Sequence, residues 1–436
     1  MSVTISDKGA VDGANPGPLG GAIKRNDESV PPSSRAAHVL HRDLRRRGGG
    51  TVDLSPERAV AQLRVAQGEH PFWNNRFFKA CTAGVLSKED FKFMFSQYYL
   101  YSKNFTRYLA ALMANCDSDY HRSRLSENLW EEGGGIAPEK RHAEIFRRFL
   151  REALEIDVDC IDYLDTTRFF VREYLDFCLH SHPAAGSSFL SLGTEGIVSR
   201  MYGIIVEGLL KAGVPEEQIT FFRIHMECDD EHAETLEKIM LSYAGTPDWY
   251  NTCYRSMIYA LSLRERFFEK TFESIEMRRI RPIIDNIQSR RSLVSDQPDP
   301  AELYHRVGAA AAPLYSNVNE RLNIDFNVER VPFKTDVFDA RILRIAPRKN
   351  NERHKHPHES IFYVIKGEGL VDVNEAQIPI RAGDMVFVPR WAMHQSHNTT
   401  DEELLILALT DFGLTEAAYL GDHLKSTRMK GTQAAR

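Results

Sequence analysis

The chain has 436 residues, of which 42% are hydrophobic and 27% are charged, and its formal net charge is −6. This length suggests two or three domains of ordinary globular composition, and the charge gives no general attraction to nucleic acid. No apolar run approaches the roughly 18 residues that span a bilayer, and no apolar signal-peptide core opens the chain. The six cysteines are scattered without a CxxC pair. We therefore expect a cytoplasmic protein with reduced thiols that binds neither nucleic acid nor membrane.

Changes in composition divide the chain into five segments. Residues 1–54 are rich in Gly, Pro, Ser and charged residues and are predicted to form a disordered arm. Residues 55–285 carry apolar residues at helical spacing, which predicts an all-α bundle. The polar segment 286–324 is predicted to be a linker. Short β-rich segments at 325–420 indicate a small barrel or sandwich, and 421–436 is predicted to be a tail.

Several helix boundaries can be predicted within the bundle. Ser87 is a plausible N-cap, and PEEQ at 215–218 has the proline expected in a first helical turn. Continuous helices are predicted over 188–212 and 215–243. A long helix around 255–285, together with apolar faces left over from the bundle, predicts a homodimer.

The segment HMECDDEH, residues 225–232, contains two histidines and four acids. In a helix, His225, Asp229 and His232 fall on one narrow stripe that is shared with flanking apolar residues. Buried imidazole and carboxylate groups need polar partners, which a metal ion would supply. The alternative interpretation is a solvated surface with charge pairs between successive turns.

Further candidate ligands lie elsewhere in the helical part. Glu132 precedes a Gly-rich break, and His142 follows it at the start of the next helix. Glu195 stands between glycines on an apolar stretch, where a lone glutamate is costly unless it is ligated or paired. With His225, Asp229 and His232 they make three imidazoles and three carboxylates. This donor set favours iron or manganese over structural zinc, and six ligands could hold two metals.

Two known layouts compete for this ligand set. A ferritin-like site needs E-x-x-H twice, but the bundle has it once, at Glu139 and His142, with Asp229 and His232 as an aspartate version.

The order E-x9-H, a later Glu, then H-x3-D-x2-H resembles the ligand order of the heme-oxygenase-like diiron oxidases and oxygenases. This resemblance implies a TenA-like helical fold in which the six residues hold two ferrous ions that activate O2. Some N-oxygenating members take an extra carboxylate from the first core helix. Residues 91–114 contain no Asp or Glu, and Thr106 lies near the expected position.

The C-terminal part contains a second candidate metal site. RHKHPHES at 353–360 and GDMVFVPRWAMH at 383–394 resemble the two halves of a cupin motif. His354 and His356 alternate along a strand and so point to one face, and His394 returns to meet them. Three neutral imidazoles would hold one ferrous ion with open positions for O2 or substrate.

This motif departs from the usual cupin pattern in its first half. The customary glutamate position falls on Ser360, and the nearby Glu359 should point to the other face. The sequence therefore predicts a site of three histidines without a carboxylate. His358 and His397 could substitute for one of them, and a metal-free barrel is the alternative.

The predicted fold class is multidomain α + β, with a heme-oxygenase-like bundle followed by a small cupin β-barrel. This combination resembles the domain arrangement of the family of N-nitrosourea-forming metalloenzymes of streptozotocin biosynthesis. The resemblance implies an O2-dependent N-oxygenase of specialised metabolism that acts on a small amine, guanidine or amino acid. It would use two Fe(II) ions in the bundle, one in the cupin, and an external electron donor. One alternative is an oxidase or lyase that fragments a C–C or C–H bond. Another is a non-enzymatic cupin sensor on a helical dimerisation platform.

Overall fold

The computed structural model describes residues 55–307 and 313–418, except for the side chains of residues 227–231. The arm predicted at 1–54 and the tail predicted at 421–436 lie outside the described residues. Among the described helices, none is both long and apolar enough to cross a membrane.

The first part of the described chain is helical. Its α-helices are α1 Pro56–Glu69, α2 Arg76–Ala83, α3 Lys88–Ser102, α4 Phe105–Asn115, α5 Asp119–Glu132, α6 His142–Leu154, α7 Asp165–His180, α8 Pro183–Ser191, α9 Val198–Lys211, α10 Thr220–Ser242 and α11 Trp249–Gln288. Short 3-10 turns lie at Pro71–Asn74, Pro138–Lys140, Val158–Cys160, Glu195–Ile197 and Glu216–Gln218.

The start of α3 shows how the sequence sets a helix boundary. Ser87 accepts a hydrogen bond from the Asp90 backbone N–H, and the Asp90 carboxylate accepts one from the Ser87 backbone N–H at 2.7 Å. This reciprocal cap satisfies two N–H groups that the first turn would leave unpaired, and it confirms the predicted N-cap. The predicted opening at PEEQ was wrong, since Pro215 introduces a 3-10 turn and α10 begins at Thr220.

The helix predicted over 188–212 is broken in the structure. α8 ends at Ser191, a 3-10 turn follows, and α9 begins at Val198. Gly193 passes so close to α11 that an added Cβ would lie 2.4 Å from the Ala260 Cβ. The Gln67 amide donates to the Leu192 carbonyl, and the Thr194 hydroxyl donates to the Phe189 carbonyl at 3.0 Å. The break therefore keeps its backbone carbonyls satisfied while it places Glu195 inside the bundle.

The long helix α11 is the central element of the bundle. It contacts α1, α2, α3, α7 and α8, and its buried face carries Phe267, Phe268 and Phe272. The Phe268 ring stacks on Phe77 of α2 at a centroid distance of 5.5 Å. Each such buried ring stabilises the fold by roughly 1.5–3 kcal/mol, so α11 fixes the helices that surround the candidate site. The predicted homodimer stays a prediction.

The second part of the described chain forms two antiparallel sheets. Its strands are β1 Tyr315–Asn319, β2 Ile324–Arg330, β3 Asp339–Ile345, β4 Ser360–Lys366, β5 Glu368–Val373, β6 Ala376–Arg381, β7 Met385–Val388, β8 His394–Asn398 and β9 Leu404–Thr410. Short helices α12 Pro300–Leu303 and α13 Phe412–Ala418 flank them. The strand order is β1-β2-β3-β9-β4-β7 in one sheet and β6-β5-β8 in the other. The segment boundaries differ from those predicted, because α11 continues to Gln288 and β1 already pairs with β2.

The two sheets share one apolar core. It combines Phe326, Val364 and Ile406 of the larger sheet with Val371 and Ile380 of the smaller sheet. Burial alternates along β4, where Ser360, Phe362 and Val364 point inward and the residues between them point outward. Because side chains alternate between the two faces of a strand, every second residue points into the interior. This alternation therefore determines which strand histidines can converge there.

Candidate metal centres

Three histidines converge inside the β domain. His354 and His394 form a β-bridge, with mutual backbone hydrogen bonds of 3.0 and 2.8 Å. Ligand nitrogens of His354, His356 and His394 all lie within 4.8 Å of one another. Among the described side chains they are the one group of three His, Cys, Asp or Glu residues this close. The structure thus brings all three predicted cupin residues together.

Each of these imidazoles is oriented by a backbone carbonyl. The Nδ1 atoms of His354, His356 and His394 each lie 2.9 Å from a carbonyl oxygen, of Glu352, His358 and Ala392 respectively. Because a carbonyl only accepts hydrogen bonds, each Nδ1 carries the proton and each Nε2 keeps its lone pair for a ligand. The Nε2 of His394 is buried and has no hydrogen-bond partner in the described structure. This orphaned acceptor fits a bound metal ion.

The charge state of the histidines also suits metal binding. Burial lowers the pKa of His394 to about 3, with a further contribution from neighbouring His354. Burial, then the neighbouring His358 and His394, lower the pKa of His356 well below its usual range. Both imidazoles are therefore neutral at physiological pH, which is the form that coordinates iron.

The three histidines line one wall of a cavity of about 840 Å³. Apolar side chains such as Phe326 and Leu343 form much of the lining, and Arg330, Arg341 and Glu352 add charged groups. Glu352 accepts a hydrogen bond from the Tyr315 hydroxyl at 2.5 Å. Glu352 was not among the predicted site residues, although its position two residues before His354 predicts the same face. The cavity can hold a small polar molecule next to the histidines.

The remaining polar residues near the three histidines face in different directions, some toward the cavity and some away from it. Ser360 is buried and lines the cavity, whereas Glu359 turns away and binds Arg390 at 2.6 Å, as predicted. His397 points outward from β8, where its nitrogens lie 2.9 Å from Asn350 and from Asp372, so it cannot substitute as a ligand. His358 lines the cavity and stacks on His356 at 3.5 Å, which supports the His356 ring.

The helical domain gathers a different kind of cluster. Glu132 ends α5 and His142 begins α6, and their Oε2 and Nδ1 atoms lie 2.9 Å apart. Gly134 makes the tight connection possible, because its φ is +80° and an added Cβ would lie 2.6 Å from the Ala137 oxygen and the Arg141 nitrogen. The Nδ1 of His142 is buried without a well-aligned hydrogen bond. The glycine-rich break therefore brings two helix ends to one point.

Helix α10 contributes two histidines to this cluster. His225 is buried, and its Nδ1 donates to the Phe221 carbonyl at 2.7 Å, which leaves Nε2 free for a ligand. The His225 and His142 rings lie 4.5 Å apart. His232 approaches two carboxylates, with Nε2 at 2.8 Å from Glu131 and Nδ1 at 3.4 Å from Glu132. Glu131 was not among the predicted site residues, and its only sequence signal is its position beside Glu132.

The cluster is strongly coupled electrostatically. Burial raises the pKa of Glu132, but contacts with His142 and His232 outweigh it and lower that pKa to about 2. Burial lowers the pKa of His232, yet Glu132 and Glu195 outweigh this effect and raise it to about 10. Burial and the charge of Glu132 raise the pKa of Glu195 to about 7. Protons thus occupy places where a metal ion would supply the positive charge.

The other predicted residues of this site have separate outcomes. Glu195 is buried and lines the same cavity as Glu132, His142 and His225. Asp229 lies on α10, but its side chain is outside the described residues. Thr106 does not line the cavity, and α3 and α4 contribute Tyr98, Tyr101, Ser102 and Phe105 instead. The carboxylates that line this cavity, among the described side chains, are Glu132 and Glu195.

Comparison with known proteins separates the same two parts. Residues 92–260 match a family model described as an iron-containing redox enzyme. Residues 341–410 match the model of the cupin domain. The predicted fold class is thereby confirmed: a helical domain with a match to a heme-oxygenase-like family model comes first, and a β-rich cupin region follows.

Individual relatives match one part at a time. A 4-aminobenzoate synthase from Chlamydia pneumoniae is 25% identical over 174 residues, which cover 39% of this chain and 76% of that protein. A gentisate 1,2-dioxygenase from a Streptomyces species is 31% identical over 85 residues, 19% of this chain. The match spans only 24% of the dioxygenase's own length. The match of the helical part to the iron-containing redox enzyme model and the dioxygenase relative of the cupin part together support an oxidoreductase.

Solved structures match the cupin part. A cupin-2 domain protein from Rhodospirillum rubrum is 20% identical with a TM-score of 0.22, over 28% of this chain and 76% of that one. A salicylate 1,2-dioxygenase from Pseudaminobacter salicylatoxidans is 17% identical with a TM-score of 0.20, over 21% of this chain and 28% of that one.

Proposed function

We propose that the protein is an O2-dependent non-heme iron N-oxygenase with two metal centres. The helical domain would hold two Fe(II) ions with Glu132, His142, Glu195, His225, Asp229 and His232. The cupin would hold one Fe(II) ion with His354, His356 and His394. The observation that carries the proposal is the buried cluster of carboxylates and imidazoles inside a helical domain that matches an iron-containing redox enzyme family.

The protein's own residues would organise the helical centre. When bound, the ferrous ions would supply the electrons and the open positions that O2 activation requires. The carbonyl of Phe221 fixes the His225 ring, and the turn at Gly134 fixes Glu132 against His142. Phe221 and Tyr202 line the cavity beside these ligands and give part of its wall an aromatic surface. The ligands are thus supported by rigid surroundings, which a reactive centre needs.

The cupin would perform a second oxidative step on the product of the first. Three carbonyl-oriented imidazoles on the cavity wall would hold the ferrous ion, which would supply the redox chemistry of this step. The cavity of about 840 Å³ accommodates a small oxygenated amine or guanidine, and its charged residues offer hydrogen bonds to one.

The substrate class follows from the resemblance to the N-nitrosourea-forming enzymes. We infer a small amine, guanidine or amino acid as the substrate, oxygenated at nitrogen, with electrons from an external donor. The direct test is anaerobic Fe(II) loading followed by incubation of candidate amines with O2 and a reductant. Mass spectrometry should show the gain of an oxygen atom on nitrogen in wild type and none with His232→Ala. The His394→Ala variant should accumulate the first product. Consumption of O2 without any N-oxygenated product from amines or guanidines would reject the proposal.

The second candidate is fragmentation of a C–C or C–H bond by the same diiron centre. It is favoured by one observation: the parts of α3 and α4 that line the cavity carry no carboxylate, so the extra ligand of some N-oxygenating relatives is missing there. Product mass separates the two reactions, since fragmentation removes carbon or hydrogen from the substrate and N-oxygenation adds oxygen.

A further inference from the structure

Arg264 is a fully buried cation in the middle of α11. Its side chain is 1% exposed, and it lines the cavity that also contains Glu132, His142, Glu195 and His225. Arginine is almost never fully buried unless it is paired, and its guanidinium stays protonated in proteins. The position therefore needs a partner that balances the charge.

The surroundings of Arg264 leave one of its nitrogens unused. Nε donates to the Tyr174 hydroxyl at 2.8 Å, and Nη2 donates to the Tyr101 hydroxyl. Nη1 is buried and makes no hydrogen bond of good geometry in the described structure, and the Tyr98 hydroxyl lies close enough to the guanidinium to act as a further hydrogen-bond partner. Burial raises the pKa of Tyr101 well above its usual range and raises that of Tyr174 as well. Both tyrosines are thus neutral hydrogen-bond partners. The carboxylate on which the charge of Arg264 acts is Glu195, itself a candidate metal ligand: burial raises the pKa of Glu195, and Arg264 opposes that rise.

We propose that Nη1 of Arg264 anchors the carboxylate of an amino-acid substrate at the candidate diiron site. Arg264 would then determine specificity for amino acids over amines that lack a carboxylate. This inference rests on the proposed function, because it names the substrate class of the same site.

The geometry limits how the carboxylate is held. With Nε and Nη2 already engaged, the guanidinium cannot form the usual paired contact and would contact the substrate through Nη1 alone. The cavity has room for about 40 Å³, which is a few water positions. A carboxylate head group fits this space, and the rest of the substrate must extend from it toward the mouth of the cavity.

The test compares the binding of matched ligands to the full-length, iron-free protein by calorimetry. L-arginine is paired with agmatine and L-lysine with cadaverine, so that each pair differs by the carboxylate. Wild type should bind the amino acid of a pair about 10- to 100-fold more tightly, as expected for one charge-assisted hydrogen bond. Arg264→Met should reduce this preference to within about twofold, because the apolar side chain keeps the volume and removes the donor.

Three further variants complete the test. Arg255→Met changes an exposed arginine of the same helix and should retain the full preference. Arg341→Met removes a guanidinium from the cupin cavity and should also retain it. Tyr101→Phe frees Nη2 and should strengthen carboxylate binding severalfold, which tests the anchor even if Arg264→Met fails to fold.

Four results would overturn the anchor. They are no preference in wild type for either pair, a preference that persists in Arg264→Met, a preference lost only in Arg341→Met, or unchanged affinities in Tyr101→Phe. The measurement needs neither iron nor O2. If the protein prefers ligands with a carboxylate but oxygenates no nitrogen, the anchor stands and the proposed reaction is rejected. If it oxygenates amines without a carboxylate equally well, the reaction stands and the anchor is rejected.

Discussion

The two candidate metal centres differ in how their ligands are held. In the cupin, each histidine donates a hydrogen bond from Nδ1 to a carbonyl, and one ligand nitrogen of each lies within 4.8 Å of the others. In the helical domain, ligands contact each other, as Glu132 does with His142 and His232. The cupin site is thus preorganised. In the helical site, metal binding must displace protons and break the contacts that the ligands make with one another.

The difference arises from the elements that carry the ligands. The cupin histidines lie on or beside paired strands whose backbone hydrogen bonds fix their register. The helical ligands come from a helix end, a helix start, a 3-10 turn and the middle of α10. Four separate elements must be positioned together, so we expect the helical domain to retain its iron less firmly than the cupin.

The largest expected effect is loss of the cupin iron in His394→Ala. Removal of one of three ligands should weaken Fe(II) binding there by more than about 100-fold, a larger loss than supporting residues cause. The matched control is His397→Ala, which changes an outward histidine of the same strand and should shift affinity by less than about twofold. Equal losses in the two variants, measured by anaerobic metal titration, would contradict the assignment of ligands.

A second large effect is expected for Glu132→Gln in the helical domain. The substitution removes the negative charge shared by His142 and His232, so Fe(II) affinity of this domain should fall about 10- to 100-fold. The cupin iron should remain. Glu127→Gln on the same helix, where the carboxylate pairs with Arg124, is the control and should have no such effect. Iron analysis after gentle desalting measures both centres, and loss of iron from the cupin as well would contradict the assignment of Glu132 to the helical centre alone.

The connection between α5 and α6 provides a stability test. Gly134→Ala combines a positive φ with a backbone clash and should destabilise the helical domain by roughly 2–4 kcal/mol, while it also displaces His142. Gly213→Ala has a similar φ of +84° but no atom within 4 Å, so it should cost about 1 kcal/mol. Denaturant unfolding followed by circular dichroism compares the two. Equal costs would mean that the tight turn at Gly134 is not needed.

The smallest effect concerns the position where the usual cupin has a glutamate. Ser360→Glu places a carboxylate on the cavity wall beside the three histidines and should tighten Fe(II) binding about tenfold. It should slow the second oxidative step, because an open position is lost. Glu359→Gln changes a residue that faces away from the cavity and should leave both properties unchanged. If Ser360→Glu binds iron no better than wild type, the inward position of this residue is wrong.

The sequence predicted much of this architecture because its signals are local. The outward turn of Glu359 and the cap at Ser87 depend on neighbouring residues only. His354 and His356 line one cavity, but they precede β4, with His354 on an isolated β-bridge, and do not lie on the strand that was predicted to carry them. The break at 192–197 could not be predicted, because it depends on the approach of Gly193 to Ala260 on a distant helix. Arg264 and Glu131 were missed for the same reason, since their roles come from residues far away in the chain.

The most direct test of the account is the amount of iron per chain after anaerobic Fe(II) loading and gentle desalting of wild type, His232→Ala and His394→Ala. We predict about three irons in wild type, one or two in His232→Ala and about two in His394→Ala. Near one iron in wild type, lost only in His394→Ala, would contradict the central claim. The protein would then be a metal-binding cupin joined to a helical domain without a diiron centre.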